Sequence, residues 1–211
     1  MSHPPHAPAP PPLVEPRGTA DVPDRSGLLT LLADLSWRRG PVVLASGVVS
    51  DFYLDCKQTA LHPLGAAALG QQLLAALQAL EARLGQRAVG VGGMTLGADP
   101  LVTAVSLRAL EQGRLLPAFI VRKTPKSHGT EAYLEGRANL PDGAAVLLLE
   151  DVVTTGGSTL LAAERVRAEG LRPFGVVCIV DRLAGGAERL AAAGLPLQAL
   201  FTRADFEGRL P

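Results

Sequence analysis

The chain has 211 residues, 47% of them hydrophobic, and a formal net charge of zero. That length and apolar content suffice for one core. The neutral balance excludes a global field that would draw the protein to nucleic acid or to an anionic membrane, so any anion site must be assembled from local clusters. The two cysteines, Cys56 and Cys178, have no metal-ligand or redox spacing and read as reduced thiols of a cytoplasmic protein. No apolar run is long enough to cross a bilayer.

Residues 1–25 are rich in proline and poor in large apolar side chains. They cannot bury enough surface to offset their ordering entropy, so a disordered tail is expected there, with one domain over 26–211. The tail has neither the cationic start nor the apolar core of a secretory signal, and its His3 and His6 read as solvated. Ser26 is placed to cap a helix over Gly27 to Arg39, with Leu28, Leu31, Leu32 and Leu35 along one face. Gly40-Pro41 stops it. Short β-type pieces, Pro41 to Ala45 and Phe52 to Asp55, flank a turn at Ser46-Gly47. His62-Pro63 opens a long helix to about Leu84. Ala88 to Val91 reads as a buried strand, and Gly92 to Asp99 as a glycine-rich turn after it. A helix over Pro100 to Gln112 and a strand over Leu116 to Val121 follow. Arg122 to Arg137 is polar.

Beyond it, a strand ends near Glu150, a helix covers Leu160 to Glu169, and a strand covers Phe174 to Val180. Ala184 to Ala193 is helical and Leu197 to Thr202 is the last strand. Strands alternating with helices imply right-handed βαβ units, hence an α/β fold with a mainly parallel sheet flanked by helices. Ligands of such sheets bind at the carboxyl ends of the strands. Three polar turns are expected at that edge: Gly92 to Asp99, Glu150 to Ser158, and Asp181-Arg182.

The richest of these turns is in the segment VLLLEDVVTTGGST, residues 146–159. Aliphatic residues run into two adjacent carboxylates, Glu150 and Asp151. Val152, Val153, Thr154, Thr155, Gly156, Gly157 and Ser158 then lead into a helix. Two vicinal hydroxyls of a ribose need closely spaced acceptors, which adjacent carboxylates supply directly or through Mg²⁺, a hard cation that favours oxygen. The small-residue turn offers backbone N–H groups at a helix N-terminus, where the helix dipole also favours an anion. A Walker loop is excluded because no Lys follows the glycines. A dinucleotide fingerprint is excluded because Gly90-Val91-Gly92-Gly93-Met94-Thr95 ends in Thr.

This segment resembles the 5-phosphoribosyl 1-diphosphate (PRPP) motif of the type I phosphoribosyltransferases. Its double-acid form is most similar to the orotate phosphoribosyltransferase family. The resemblance implies that the acids meet the ribose hydroxyls and that residues 152–158 hold the 5′-phosphate. It also implies Mg²⁺ held mainly by PRPP, with Asp151 as the one protein ligand to consider.

Arg122, Lys123, Lys126 and His128 cluster in a short span with no acid before Glu131. Such a cluster suits a dense anion, and Pro125 and Gly129 suit a loop that closes over it. RKxxKxHG resembles the catalytic loop of orotate phosphoribosyltransferases. That implies diphosphate contacts from all four cations and, because the loop reaches the neighbouring subunit in the family, a homodimer with shared sites. Lys126, His128 and Asp151 are then the expected catalytic residues.

Asp181-Arg182 follows a strand, and an Arg there suits a carboxylate-bearing base. The resemblance assigns orotate contacts to Arg182, Thr154 and Tyr53, within a small N-terminal hood covering the base; Tyr53 reads equally as a core aromatic. Ala45 and Leu96 stand where some relatives carry Lys, which removes two expected diphosphate contacts. The expected activity is transfer of ribose 5-phosphate from PRPP to orotate in pyrimidine biosynthesis. A PRPP-binding regulator without catalysis, or transfer to another base, remains open.

Overall fold

The computed structural model describes residues 21–38, 42–43, 49–50, 53–125 and 132–207. Outside them lie residues 1–20 of the expected tail, Ala45 and the Ser46-Gly47 turn, and the loop residues Lys126, His128 and Gly129.

The first helix, α1 (Arg25–Leu31), starts earlier than Ser26 suggests. Asp24 is its N-cap, accepting the Gly27 N–H at 2.8 Å. A carboxylate at that position satisfies a first-turn donor, so the cap moves two residues upstream. The helix loosens into a π turn over Leu32–Ser36 rather than running to Arg39. Leu28, Leu29 and Leu32 face the core in consequence.

Four two-residue strands follow: β1 (Trp37–Arg38), β2 (Val42–Val43), β3 (Val49–Ser50) and β4 (Tyr53–Leu54). β1 pairs antiparallel with β4, and β2 with β3. A short helix absent from the sequence reading, α2 (Cys56–Ala60), locks this region to the π turn. The buried Ser36 and Thr59 hydroxyls share a 2.7 Å hydrogen bond, and the Asp55 N–H donates to the Ser36 carbonyl at 2.9 Å. Together these pieces form the small N-terminal layer expected of a hood.

The main domain then alternates: α3 (Pro63–Leu84), β5 (Gly90–Met94), α4 (Asp99–Glu111), β6 (Ala118–Val121) and β7 (Leu134–Glu135). After a 3₁₀ turn at Arg137–Asn139 come β8 (Ala145–Val153), α5 (Gly157–Ala168), β9 (Arg172–Asp181), α6 (Gly186–Ala192) and β10 (Leu197–Thr202), with a closing 3₁₀ turn at Arg203–Phe206. The six-stranded sheet has the order β10-β9-β8-β5-β6-β7. All pairs are parallel except β6–β7.

A parallel sheet is covered on both faces, and the core splits accordingly. Leu147 and Leu149 of β8 join the layer with α1, α3 and α4, whereas Val146 and Leu148 join the layer with α5 and α6. In β9, Val177 and Ile179 divide from Val176 and Cys178 in the same way. This is the period of two of an extended chain, with apolar residues in both phases.

Gly92 and Gly93 belong to β5 rather than to the turn after it. A Cβ at Gly92 would lie 2.1 Å from the Phe119 ring, and one at Gly93 would lie 2.2 Å from the Leu149 carbonyl. Their service is close packing, and the true turn is Thr95 to Ala98. The two-residue β7 sits in the stretch that reads as uniformly polar.

Candidate active site

The chain order of the strands decides where a crevice opens. From β5 the chain steps to β6 on one side, then crosses to β8 on the other, so β5 and β8 flank the point where the order reverses. Clefts form outside the carboxyl ends of strands at such a point. There the turn after β5 (Thr95 to Ala98) meets the turn after β8 (Thr154 to Gly156). The turn after β9, starting at Arg182, is the next neighbour.

β8 does not stop at its acids but continues through Val153. Consecutive strand residues send side chains to opposite faces, and the two carboxylates have different settings. Glu150 is 5% exposed. Its Oε2 accepts from the Thr159 hydroxyl at 3.0 Å and from the Ser158 hydroxyl at 3.4 Å, both on the first turn of α5. Burial, and second the charge of Asp151, push Glu150 up to about 8. At neutral pH it is therefore held largely as the neutral acid. Asp151 is half-exposed and lies against the turn after β5; a Cβ at Gly97 would sit 2.9 Å from its carboxyl carbon. One of its oxygens, Oδ1, accepts the Val152 N–H at 2.7 Å.

Thr154 and Thr155 then form the turn, and Gly156 adopts φ 73° as the residue before α5. Gly156 has no side chain with which to cap the helix, and the first-turn N–H groups of an α-helix have no intrahelical partners. Gly157 and Ser158 are exposed at this end. The turn is braced from behind by α6. A Cβ at Gly186 would lie 2.6 Å from the Thr154 carbonyl, and Arg189 donates to the Thr155 carbonyl at 3.4 Å. The sequence reading missed Gly186 and Arg189, because nothing local distinguishes them from ordinary helix-start and surface residues.

Asp181 and Arg182 separate in role. Asp181 is buried and its Oδ1 accepts the Leu183 N–H at 2.9 Å, holding Leu183 at φ 56°. It builds the turn. Arg182 is half-buried, and its backbone N–H donates to the Val153 carbonyl at 2.9 Å, which keeps it beside the turn after β8. Tyr53, at the edge of the hood, is also half-exposed rather than core.

Next to it, Lys57 pairs with Asp55 at 2.6 Å. The Asp55 hydrogen bond and then, beyond the opposing effect of burial, the charges of Asp55, Asp151 and Tyr53 raise the Lys57 pKa. This places a cation of the hood within electrostatic reach of the crevice, a residue the sequence reading passed over.

Of the cationic cluster, Arg122 and Lys123 fall within the described residues. Arg122 is committed in part to the β6–β7 hairpin, through a 2.8 Å ion pair with Glu135. Lys123 is exposed at the end of that hairpin. Among the described residues no group of three or more His, Cys, Asp or Glu side chains is arranged to hold a metal ion. The half-exposed carboxylate of Asp151 is a suitable hard donor, so a divalent cation here would draw most of its oxygen ligands from substrate and water.

An acid pair at the end of β8, leading straight into an open helix N-terminus at a β5/β8 switch point, defines a type I phosphoribosyltransferase. A solved adenine phosphoribosyltransferase from Leishmania tarentolae, 18% identical, shares the fold with a TM-score of 0.59 over 83% of this chain and 87% of its own. No family model matches the chain.

Curated relatives are more specific. An orotate phosphoribosyltransferase of a Nostoc species is 47% identical over 192 residues, 90% of this chain and 89% of that protein. Another, from Sorangium cellulosum, is 48% identical over 187 residues, 89% and 95% of the two chains. The solved orotate phosphoribosyltransferase of Mycobacterium tuberculosis in complex with PRPP is 36% identical, with a TM-score of 0.70 over 88% of this chain and 99% of its own. The chain belongs to the orotate phosphoribosyltransferase family, and it is a pentosyltransferase.

Proposed function

We infer that this protein transfers the ribose 5-phosphate of PRPP to orotate, giving orotidine 5′-phosphate and pyrophosphate. The observation that carries the reading is the Glu150–Asp151 pair opening directly into the Thr154-to-Ser158 cradle, with Arg182 fixed beside it by the Val153 carbonyl. In this reading the bond from ribose C1 to the diphosphate breaks as a ring nitrogen of orotate forms its bond to C1. Positive charge develops at the sugar where bond breaking runs ahead of bond making.

The chain's contribution is placement and charge. Backbone N–H groups of the cradle and the Thr154, Thr155 and Ser158 hydroxyls hold the 5′-phosphate. Asp151 and Glu150 take the ribose hydroxyls. Asp151 stands nearer the opening, and Glu150 is able to donate as well as accept. Lys123, Lys126, His128 and Arg122 neutralise the leaving diphosphate. Arg182, Thr154 and Tyr53 hold orotate. Mg²⁺ supplies charge neutralisation of the diphosphate when bound, and it is held mainly by PRPP in this proposal, with Asp151 as the protein residue placed to add a hard oxygen ligand.

A homodimer with shared sites is part of this proposal. The exposed leucines on and around α4 support a protein partner on that side: Leu96, Leu107, Leu110 and Leu115 are between 55% and 82% exposed. None of the helices among the described residues is long and apolar enough to cross a membrane, and a cytoplasmic site of action is proposed. The test is an assay with orotate, PRPP and Mg²⁺ that follows orotidine 5′-phosphate. Turnover with a purine but not orotate overturns the substrate, and tight PRPP binding without pyrophosphate release makes the protein a regulator.

A further inference from the structure

Both arms leading into the cationic loop are fastened to a single helix, the same one that carries the phosphate cradle. In the last turns of α5, Arg165 donates through Nη1 to the Arg122 carbonyl at 2.6 Å and through Nη2 to the Lys123 carbonyl at 3.1 Å. Its guanidinium stacks 4.3 Å from the centre of the Tyr133 ring, on the returning arm. Just beyond α5, Glu169 Oε1 accepts the Tyr133 N–H at 3.0 Å, and the arms are joined by the Arg122 N–H donating to the Tyr133 carbonyl at 2.8 Å.

The other end of α5 presents Gly157 and Ser158 to the cradle and holds Glu150 through Thr159. A helix keeps residues seven apart at a separation of about 10 Å. One rigid element therefore sets the relation between the cradle and the Arg122–Lys123 turn. A fork of planar donors bridging two successive carbonyls is a task for Arg that a single ammonium cannot duplicate.

We propose that Arg165 is a positioning residue for phosphoribosyl transfer, fixing the Arg122–Lys123 turn at a set place relative to the phosphate cradle through its two carbonyl hydrogen bonds and its stacking on Tyr133. The inference rests on the reading that this turn meets the diphosphate and the cradle the 5′-phosphate. It assigns the residue no contact with substrate. Its consequence is selective: loss of Arg165 weakens the diphosphate end of the substrate and spares the 5′-phosphate end.

The test is Arg165→Met, which keeps an apolar stem beside Tyr133 and removes both carbonyl bonds, with Arg165→Lys as the conservative partner. KM for PRPP is expected to rise about tenfold in Arg165→Met. Affinity for orotidine 5′-phosphate, which has no diphosphate, and the melting temperature should stay near wild type. Arg165→Lys should recover part of the loss. A parallel weakening of PRPP and orotidine 5′-phosphate with a lowered melting temperature would make Arg165 a general support of α5 and overturn the proposal. Unchanged KM for PRPP also overturns it. Lys123→Ala then separates the two levels: weakened PRPP in that variant keeps the diphosphate reading, and unchanged PRPP removes it as well.

Discussion

Glu150→Gln isolates the energetic consequence of burying a second acid beside Asp151. The side chain is 5% exposed and is anchored by the hydroxyls of Thr159 and Ser158. Burial and then Asp151 raise its pKa from 4.5 to about 8. An acid whose pKa is higher in the folded than in the unfolded chain favours folding fully below the unfolded value, and that contribution is lost as pH climbs to the folded value. The window is therefore about pH 4.5 to 8.

A single group titrating only in the unfolded state costs about 1.4 kcal/mol per pH unit, so the loss across the window is on the order of 5 kcal/mol. That is large against a typical total of ~5–15 kcal/mol. Gln has the same shape, cannot ionise, and offers an amide whose donors and acceptor both suit hydroxyl partners. Urea unfolding of the ligand-free wild type and variant between pH 5 and 9 reads the effect. The variant should gain relative to wild type as pH rises to about 8 and then level off. Parallel stability curves over that range would refute the placement of Glu150 as a buried acid held largely neutral.

Gly97→Ala puts a methyl group 2.9 Å from the Asp151 carboxyl carbon; steady-state kinetics should show a raised KM for PRPP while circular dichroism stays native, and an unaltered KM would detach that turn from the site. Lys126→Ala should lower turnover strongly, and mixing it with Asp151→Asn under subunit exchange should restore some activity if sites are shared. No restoration counts against a shared site. Arg114 and Glu81 form a bidentate pair, each side chain 11% exposed, at the far end of α3, with Arg114 also donating to the Ala88 carbonyl. Arg114→Met leaves Glu81 buried without its partner and should cost about 3 kcal/mol in urea unfolding with kcat preserved. An unchanged midpoint would mean that water replaces the guanidinium.

The amino-acid sequence alone determined the alternation of elements, because buried parallel strands are continuous aliphatic runs and the helices between them carry their own stops. Pro63 to Leu84 and Leu197 to Thr202 match the expected bounds of α3 and β10. The same local chemistry singled out the proposed cradle: two acids, two glycines and three hydroxyl residues fall within nine positions, 150–158. Tertiary structure decided everything that depends on what lies opposite a residue. Gly92 and Gly93 look like turn glycines until Phe119 and Leu149 are seen pressed against them. Glu150 and Asp151 look equivalent until α5 buries one and leaves the other at the opening. Asp181 and Arg182 look like a pair until one is spent on its own turn. Arg165 carries no motif at all, since its partners are carbonyls more than forty residues away, and backbone carbonyls are the same in every sequence.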